Sequence, residues 1–114
     1  MSFHTRKPMI AGNWKLNKTI REAIEFVTLL KRRLSDPQSV DVVVCPPYTA
    51  LSDVAEILTE SEIGLGAQDL YWEEKGAFTG EVSGVMLKEA GADFDIIGHS
   101  ERRQFFHETN DTVN

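Results

Sequence analysis

The amino-acid sequence predicts an α/β fold built on parallel strands. Four short apolar runs begin at residues 9, 40, 63 and 94, and these starts are 31, 23 and 31 residues apart. Helical patterns fill the segments between the runs, and each interval is long enough for one strand and one helix. Connections of that length favour neighbouring parallel strands joined by right-handed crossovers.

The four apolar runs are the predicted strands. They are Met9–Asn13, Val40–Cys45, Ile63–Gln68 and Phe94–Gly98. The second run contains three consecutive valines and the fourth contains two consecutive isoleucines. Such β-branched runs are typical of strands that are buried on both faces.

The first predicted helix follows the first strand. Its apolar residues recur at a spacing that places them on one face: Ile20, Ala23, Ile24, Val27, Leu30 and Leu34. Thr19 and Glu22 have the spacing of a capping box, in which side chains satisfy the free amides of the first turn. The Asp36-Pro37 pair predicts that the helix has ended before these residues.

Two further helices are predicted between the later strands. The second lies at about residues 50–58, where the residues expected on one side are Leu51, Val54, Ala55 and Leu58. The third runs from about Glu81 to Ala90, with Gly91 placed to end it in a left-handed conformation.

Composition and charge bound the class of protein. The 114 residues are enough for one domain at most, and 26% charged with 41% hydrophobic residues is ordinary globular usage. The net charge of −6 argues against nucleic acid as the main partner, although a local cationic site for a small phosphate remains compatible with it. The single cysteine, Cys45, excludes an intrachain disulfide, and no Cys/His spacing indicates zinc.

The chain also lacks signals for a membrane. Residues 1–8 do not contain the apolar stretch of a signal peptide, and no run approaches the ~20 apolar residues of a membrane-spanning helix. We therefore expect a soluble, cytoplasmic protein with no membrane partner.

Two polar segments directly follow predicted strands. Asn13-Trp14-Lys15 comes after the first strand, and His99-Ser100-Glu101-Arg102-Arg103 comes after the fourth. The carboxyl ends of parallel strands are where α/β proteins place their chemistry. In the first segment an amide can hold a polar substrate while the ammonium of Lys15 neutralises an anion. The alternative is an ordinary loop lysine anchored by a buried Trp14.

His99 is the most informative residue of the second segment. An imidazole at the start of a helical turn sits in the positive field of free backbone amides, which favours the neutral ring. A neutral imidazole can polarise a carbonyl and move a proton between adjacent oxygens. The alternative is that Ser100 is an N-cap and Glu101 complements the helix dipole.

Five motifs, in order, resemble the N-terminal part of the triosephosphate isomerase family, and the resemblance runs essentially from end to end. The motifs are Ala11–Asn17, Val43–Pro47, Gly66–Asp69, Gly76–Glu81 and Ile97–Arg103. The resemblance implies a (β/α)₈ TIM barrel, of which this chain supplies about the first four βα units. It also implies interconversion of dihydroxyacetone phosphate and glyceraldehyde 3-phosphate, a homodimer, and no metal or organic cofactor.

The resemblance also implies roles for residues of the two polar segments. His99 would polarise the substrate carbonyl and help to move protons along an enediolate. Lys15 would stabilise the phosphate and the developing negative charge, and Asn13 would help to hold the substrate. Ser100 and Glu101 would line the site behind them, with Glu101 near Lys15.

The glycine-bounded loop Gly76–Glu81 has an aromatic residue, Phe78, at its centre. Such a residue either docks onto a partner subunit or folds back onto its own core. The resemblance implies that Thr79 and Phe78 belong to a subunit interface, with Thr79 close to Asn13 of the neighbouring subunit. It further implies a structural ion pair between Glu81 and Arg102.

The sequence differs from the family pattern in being shorter than a full barrel. A full barrel takes ~250 residues, and the glutamate base, the lid and the phosphate-gripping turns of the family have no counterpart in residues 1–114. We expect a single incomplete domain that a C-terminal half-barrel chain completes, with or without homo-oligomers. The alternatives are an inactive, self-associating half-barrel and a flavodoxin-like binding module, although the latter needs a richer glycine loop after its first strand.

Overall fold

The computed structural model describes residues 6–36 and 38–114. Its elements, in chain order, are β1 (Met9–Asn13), α1 (Ile20–Arg33), β2 (Asp41–Cys45), α2 (Leu51–Ile57), β3 (Gly64–Ala67), α3 (Gly84–Ala90), β4 (Phe94–Asp95), α4 (Ser100–Phe105) and α5 (Asn110–Val113). Among these residues no helix is both long and apolar enough to cross a lipid bilayer.

The strands form one parallel sheet in the order β1-β2-β3-β4. Ala11 lies opposite Val43, Val43 opposite Gly64, and Gly66 opposite Phe94. Every crossover therefore steps to the next strand in the same direction. A doubly wound sheet needs a reversal of strand order, so the flavodoxin-like interpretation is wrong and the predicted parallel sheet is confirmed.

The core lies between one face of this sheet and the helices. Val44, Leu65 and Ala67 point to that face and pack with Val27 of α1 and Val54 of α2. Side chains alternate along a strand, so Val43 and Phe94 lie on the opposite face, where both approach Gly64.

Large apolar side chains stay exposed on both outer strands. Ile10 and Met9 of β1 are 61% and 49% exposed, and Phe94 of β4 is 46% exposed. Open strand edges with apolar side chains are normally paired or covered by further protein. The sheet therefore presents two surfaces suited to additional strands.

The predicted start of α1 is confirmed. The Glu22 backbone N–H donates to Thr19 Oγ1 at 3.3 Å, and the Thr19 N–H donates to Glu22 Oε1 at 3.1 Å. The helix ends at Arg33, and the predicted stop residue Pro37 lies outside the described residues. Ala23 and Val27 are buried as expected, whereas Ile20 and Ile24 on the flank of the same face stay exposed.

Two elements differ from their predicted bounds by more than one residue. Helix α3 begins at Gly84 and not near Glu81, because Ser83 Oγ caps it by accepting the Met86 N–H at 3.3 Å. Strand β4 covers only Phe94–Asp95, because the chain turns at Gly98, where φ is +62°. A side-chain cap and a glycine turn set these bounds, and hydrophobic periodicity reports neither of them.

Gly91 supports a test of the packing between α2 and α3. It ends α3 in the left-handed conformation, with φ +109°, and a Cβ atom there would lie 2.5 Å from Ala55 Cβ. We expect Gly91→Ala to lower the free energy of unfolding by about 2 to 4 kcal/mol, from backbone strain plus overpacking. Urea denaturation followed by circular dichroism measures the change.

Gly80→Ala is the matched control for that measurement. Gly80 also has a positive φ, +91°, but a Cβ atom there would meet nothing within 4 Å. The backbone strain alone should cost about 1 kcal/mol. Equal losses in the two variants would show that the contact with Ala55 does not limit packing.

Candidate active site

The carboxyl ends of the strands open into one cavity of about 640 Å³. Asn13 and Lys15 after β1, Gln68 after β3, and His99 and Glu101 after β4 all line it. The two polar segments singled out in the sequence therefore meet at the same edge of the sheet. This convergence follows from parallel pairing, which brings the carboxyl ends of all strands together.

The closest contact between the two segments is an ion pair. Lys15 Nζ lies 2.6 Å from Glu101 Oε1, and the two side chains are 51% and 43% exposed. The hydrogen bond from Lys15, together with its positive charge, lowers the pKa of Glu101. The ammonium thus faces an open cavity while its carboxylate partner stays ionised.

The backbone of the first segment is fixed on several sides. Lys15 has a left-handed backbone with φ +57°, and its N–H donates to Asn13 Oδ1 at 2.9 Å. The Trp14 N–H donates to the Cys45 carbonyl at 3.1 Å, and the Trp14 ring packs edge-on against Phe26 at 5.5 Å. Trp14 is therefore an anchor, as the alternative interpretation held, and the anchored loop directs Lys15 into the cavity.

His99 is itself the N-cap of α4. Its Nδ1 accepts the backbone N–H of Glu101 at 3.0 Å, so the alternative interpretation, in which Ser100 is the cap, is wrong. A nitrogen that accepts a hydrogen bond carries no proton, and the bond therefore assigns a neutral ring with its proton on Nε2. Gly98 allows the chain to turn just before His99. Its φ of +62° is disfavoured for a residue with a side chain, and a Cβ atom there would lie 2.9 Å from a Val113 side-chain carbon.

Arg102 holds α4 against the end of β3. Its Nη2 lies 3.2 Å from Asp69 Oδ2, its Nε donates to Glu108 Oε2 at 2.5 Å, and its guanidinium stacks 4.6 Å from the Phe106 ring centroid. The implied pair of Arg102 with Glu81 is wrong, because Asp69 and Glu108 occupy the guanidinium instead. Neither partner of Arg102 was predicted from the sequence. The position of Asp69 directly after the third apolar run could have indicated it, whereas no sequence feature indicated Glu108.

The remaining predicted site residues lie away from the cavity. Ser100 occupies the exposed first position of α4. Thr79 is exposed on the loop between β3 and α3. The Phe78 ring packs 4.8 Å from the Tyr71 ring of the same loop and is still 41% exposed.

One half-buried carboxyl group was not anticipated from the sequence. Asp95 lies opposite Ala67 in the sheet, and its Oδ1 is buried with no hydrogen-bond partner among the described residues. Burial, together with the charge of Asp69, raises the pKa of Asp95 to about 7. Burial also raises the pKa of the Cys45 thiol, which disfavours a nucleophilic thiolate there.

Within residues 6–36 and 38–114, no three His, Cys, Asp or Glu side chains are grouped closely enough to hold a metal ion.

Comparison with known proteins gives a consistent result. The sequence model of the triosephosphate isomerase family matches residues 8–114. Curated triosephosphate isomerases from Alkaliphilus metalliredigens and Acetivibrio thermocellus are 54% and 57% identical over 109 and 110 residues. Each match covers 96% of this chain but only 44% and 43% of the relative.

A solved structure agrees with the sequence relatives. The crystal structure of triosephosphate isomerase from Bartonella henselae superposes with a TM-score of 0.87 at 39% identity. The superposition covers 94% of this chain and 44% of that structure. The chain therefore spans less than half the length of the proteins that it matches.

The unpartnered Asp95 predicts how stability depends on pH. The folded protein keeps Asp95 protonated up to a pKa of about 7, whereas an unfolded aspartate ionises near pH 4. Between these values the unfolded state binds fewer protons, so stability falls as the pH rises from about 4 to about 7. We expect Asp95→Asn to remove this fall, which gains about 1 to 2 kcal/mol at pH 8, because water partly screens the half-buried charge.

Urea denaturation at a series of pH values measures the effect, with Asp111→Asn as the exposed control. Parallel pH profiles for the parent protein and Asp95→Asn would refute the assignment.

Proposed function

The chain belongs to the triosephosphate isomerase family, and from this we propose that it forms the N-terminal half of a (β/α)₈ barrel that interconverts dihydroxyacetone phosphate and glyceraldehyde 3-phosphate. In this proposal residues 1–114 are a single incomplete domain, which the remaining βα units complete from the same polypeptide or from another chain. The observation that carries it is the placement of Lys15 and His99 in one cavity at the carboxyl edge of the sheet.

His99 has the proton placement that the carbonyl step needs. When a base removes a proton from the carbon beside the carbonyl, the electron pair moves onto the carbonyl oxygen. The Nε2–H of a neutral imidazole can donate a hydrogen bond to that oxygen and then exchange a proton between the two oxygens of the enediolate. The Nδ1 contact to the Glu101 N–H supports this role, because it holds the ring in that tautomer.

Lys15 and Asn13 are the proposed substrate-binding residues. The ammonium stabilises both the phosphate dianion and the negative charge that develops on the enediolate. Asn13 contributes by fixing the Lys15 backbone through its Oδ1. Glu101 directs the ammonium by its contact with Nζ, whereas Ser100 takes no part in the cavity.

The base is proposed to come from the remaining half. Proton abstraction needs a carboxylate within hydrogen-bond reach of the reacting carbon. Two carboxylates that line the cavity are already engaged, Glu101 with Lys15 and Asp69 with Arg102. The family resemblance implies a glutamate from a later segment, and the whole reaction is then proton transfer with no cofactor.

The proposed partners are the triose phosphate, the C-terminal half-barrel and a second copy of the protein, with neither nucleic acid nor membrane. The loop that carries Phe78 and Thr79 is exposed and lies outside the cavity, which suits contact with another subunit. The exposed Ile10 and Phe94 on the outer strands suit pairing with the remaining strands. The proposal keeps the cytoplasmic location expected from the sequence.

Reassembly of the barrel tests the proposal. The purified chain is mixed with the C-terminal part of the Alkaliphilus metalliredigens relative beyond the matched region, and isomerisation is followed by a coupled assay. We expect a stable complex by size-exclusion chromatography and a rate well above that of either part, because each half alone lacks part of the catalytic set.

Two outcomes decide against the function. A complex that forms but turns over no faster than its parts would refute it. A compact, inactive homo-oligomer of this chain, seen by light scattering and unable to accept the other half, would support the self-associating half-barrel.

In the assembled barrel, His99→Gln should lower kcat by about two to three orders of magnitude, the range for a general acid-base group. Steady-state kinetics and a thermal melt check activity and folding together. His107→Gln is the control, since His107 is exposed and outside the cavity. A folded His99→Gln protein with the parent kcat would remove His99 from the mechanism.

A further inference from the structure

The side-chain amide of Gln68 connects the ends of three βα units. Its Nε2 lies 3.0 Å from the Lys15 carbonyl oxygen and 2.8 Å from the Cys45 carbonyl oxygen. Carbonyl oxygens only accept hydrogen bonds, so the amide nitrogen must face both, and each of its two hydrogens has a partner. Gln68 follows β3 directly, whereas its two acceptors follow β1 and end β2.

The Lys15 backbone needs such support. A left-handed φ of +57° is sterically disfavoured for a residue with a side chain, and it persists where surrounding contacts fix it. The Lys15 N–H is held by Asn13 Oδ1, and among the described residues Gln68 is the hydrogen-bond donor to the Lys15 carbonyl. The two contacts hold the peptide units on both sides of the Lys15 Cα.

The Cys45 carbonyl ties the same contacts into the sheet. It accepts the Trp14 N–H at 3.1 Å as well as the Gln68 amide at 2.8 Å. Cys45 is buried and paired with Asn13 in the β1-β2 register, so this acceptor is rigidly placed. Gln68 therefore links the Lys15 backbone to a fixed point of the sheet.

We propose that Gln68 is a positioning residue for the isomerase reaction: its amide holds the left-handed backbone of Lys15 so that the ammonium points into the cavity. This inference rests on the proposed function. Gln68 acts through Lys15 and has no contact with the reacting atoms in this role. Catalysis depends on such placement, because a displacement of about 1 Å costs up to roughly a hundredfold in rate.

The experiment uses the complete barrel that contains these 114 residues. Gln68→Glu keeps the shape but sets a carboxylate opposite two carbonyl oxygens, and Gln68→Met removes the donors without adding charge. Gln104→Glu, exposed on α4, is the control for the charge change. Each Gln68 variant is also made in a Lys15→Ala background, which completes a double-mutant cycle.

We expect both Gln68 variants to lower kcat/KM by about 10- to 100-fold while Lys15 is present. In the Lys15→Ala background the same substitutions should change kcat/KM by less than about threefold, because the group being positioned is gone. Binding of glycerol 3-phosphate, an inert analogue, should weaken in the same pattern. Gln104→Glu should match the parent barrel in both measurements.

Three outcomes would overturn the inference. The first is parent kinetics in Gln68→Met. The second is an equal fold-loss with and without Lys15, which would show that Gln68 acts independently of the ammonium. The third is failure of both variants to fold, which would reduce Gln68 to a structural residue. An inactive parent barrel is a different result, because it refutes the proposed function before any variant is compared.

Discussion

The contact between Lys15 and Glu101 depends on the whole sheet. The two residues are 86 positions apart, and their side chains meet at 2.6 Å only because β1 and β4 run in the same direction and end at the same edge. An ammonium and a carboxylate this exposed gain little stability from pairing alone. The pair instead indicates that β1 and β4 are correctly aligned in the sheet, since a small shift in strand register would separate the two side chains.

The arrangement divides the proposed chemistry between two halves of a barrel. The imidazole of His99 and the cation of Lys15 lie on the half described here, and in the proposed reaction both would act on the oxygens of the substrate. In that reaction the base would act on a carbon from the other side of the cavity. The substrate cavity would then lie where the two halves meet, so completing the sheet and completing the active site would be one event. The same event would cover the apolar outer strands.

Local interactions explain the features that could be predicted from the sequence. Thr19 and Glu22 cap α1 through contacts three residues apart, and Gly91 ends α3 through its own backbone freedom. The apolar runs predicted all four strands, including the outer strands β1 and β4, whose apolar side chains stay exposed in this structure. The start of α3 at Gly84 and the short β4 were not predicted, because the Ser83 cap and the turn at Gly98 decide them and hydrophobic periodicity reports neither.

The sequence by itself determined the order of the elements, the positions of the polar segments after β1 and β4, and the family. Those properties follow from the spacing of hydrophobic residues and from motifs whose residues are close together along the chain. Only the tertiary structure decided which groups meet: Gln68 with the Lys15 carbonyl, 53 residues away, and Arg102 with Asp69 and Glu108 but not Glu81. Hydrogen bonds and ion pairs form between neighbours in space, and that proximity exists only once the sheet has brought the strand ends together.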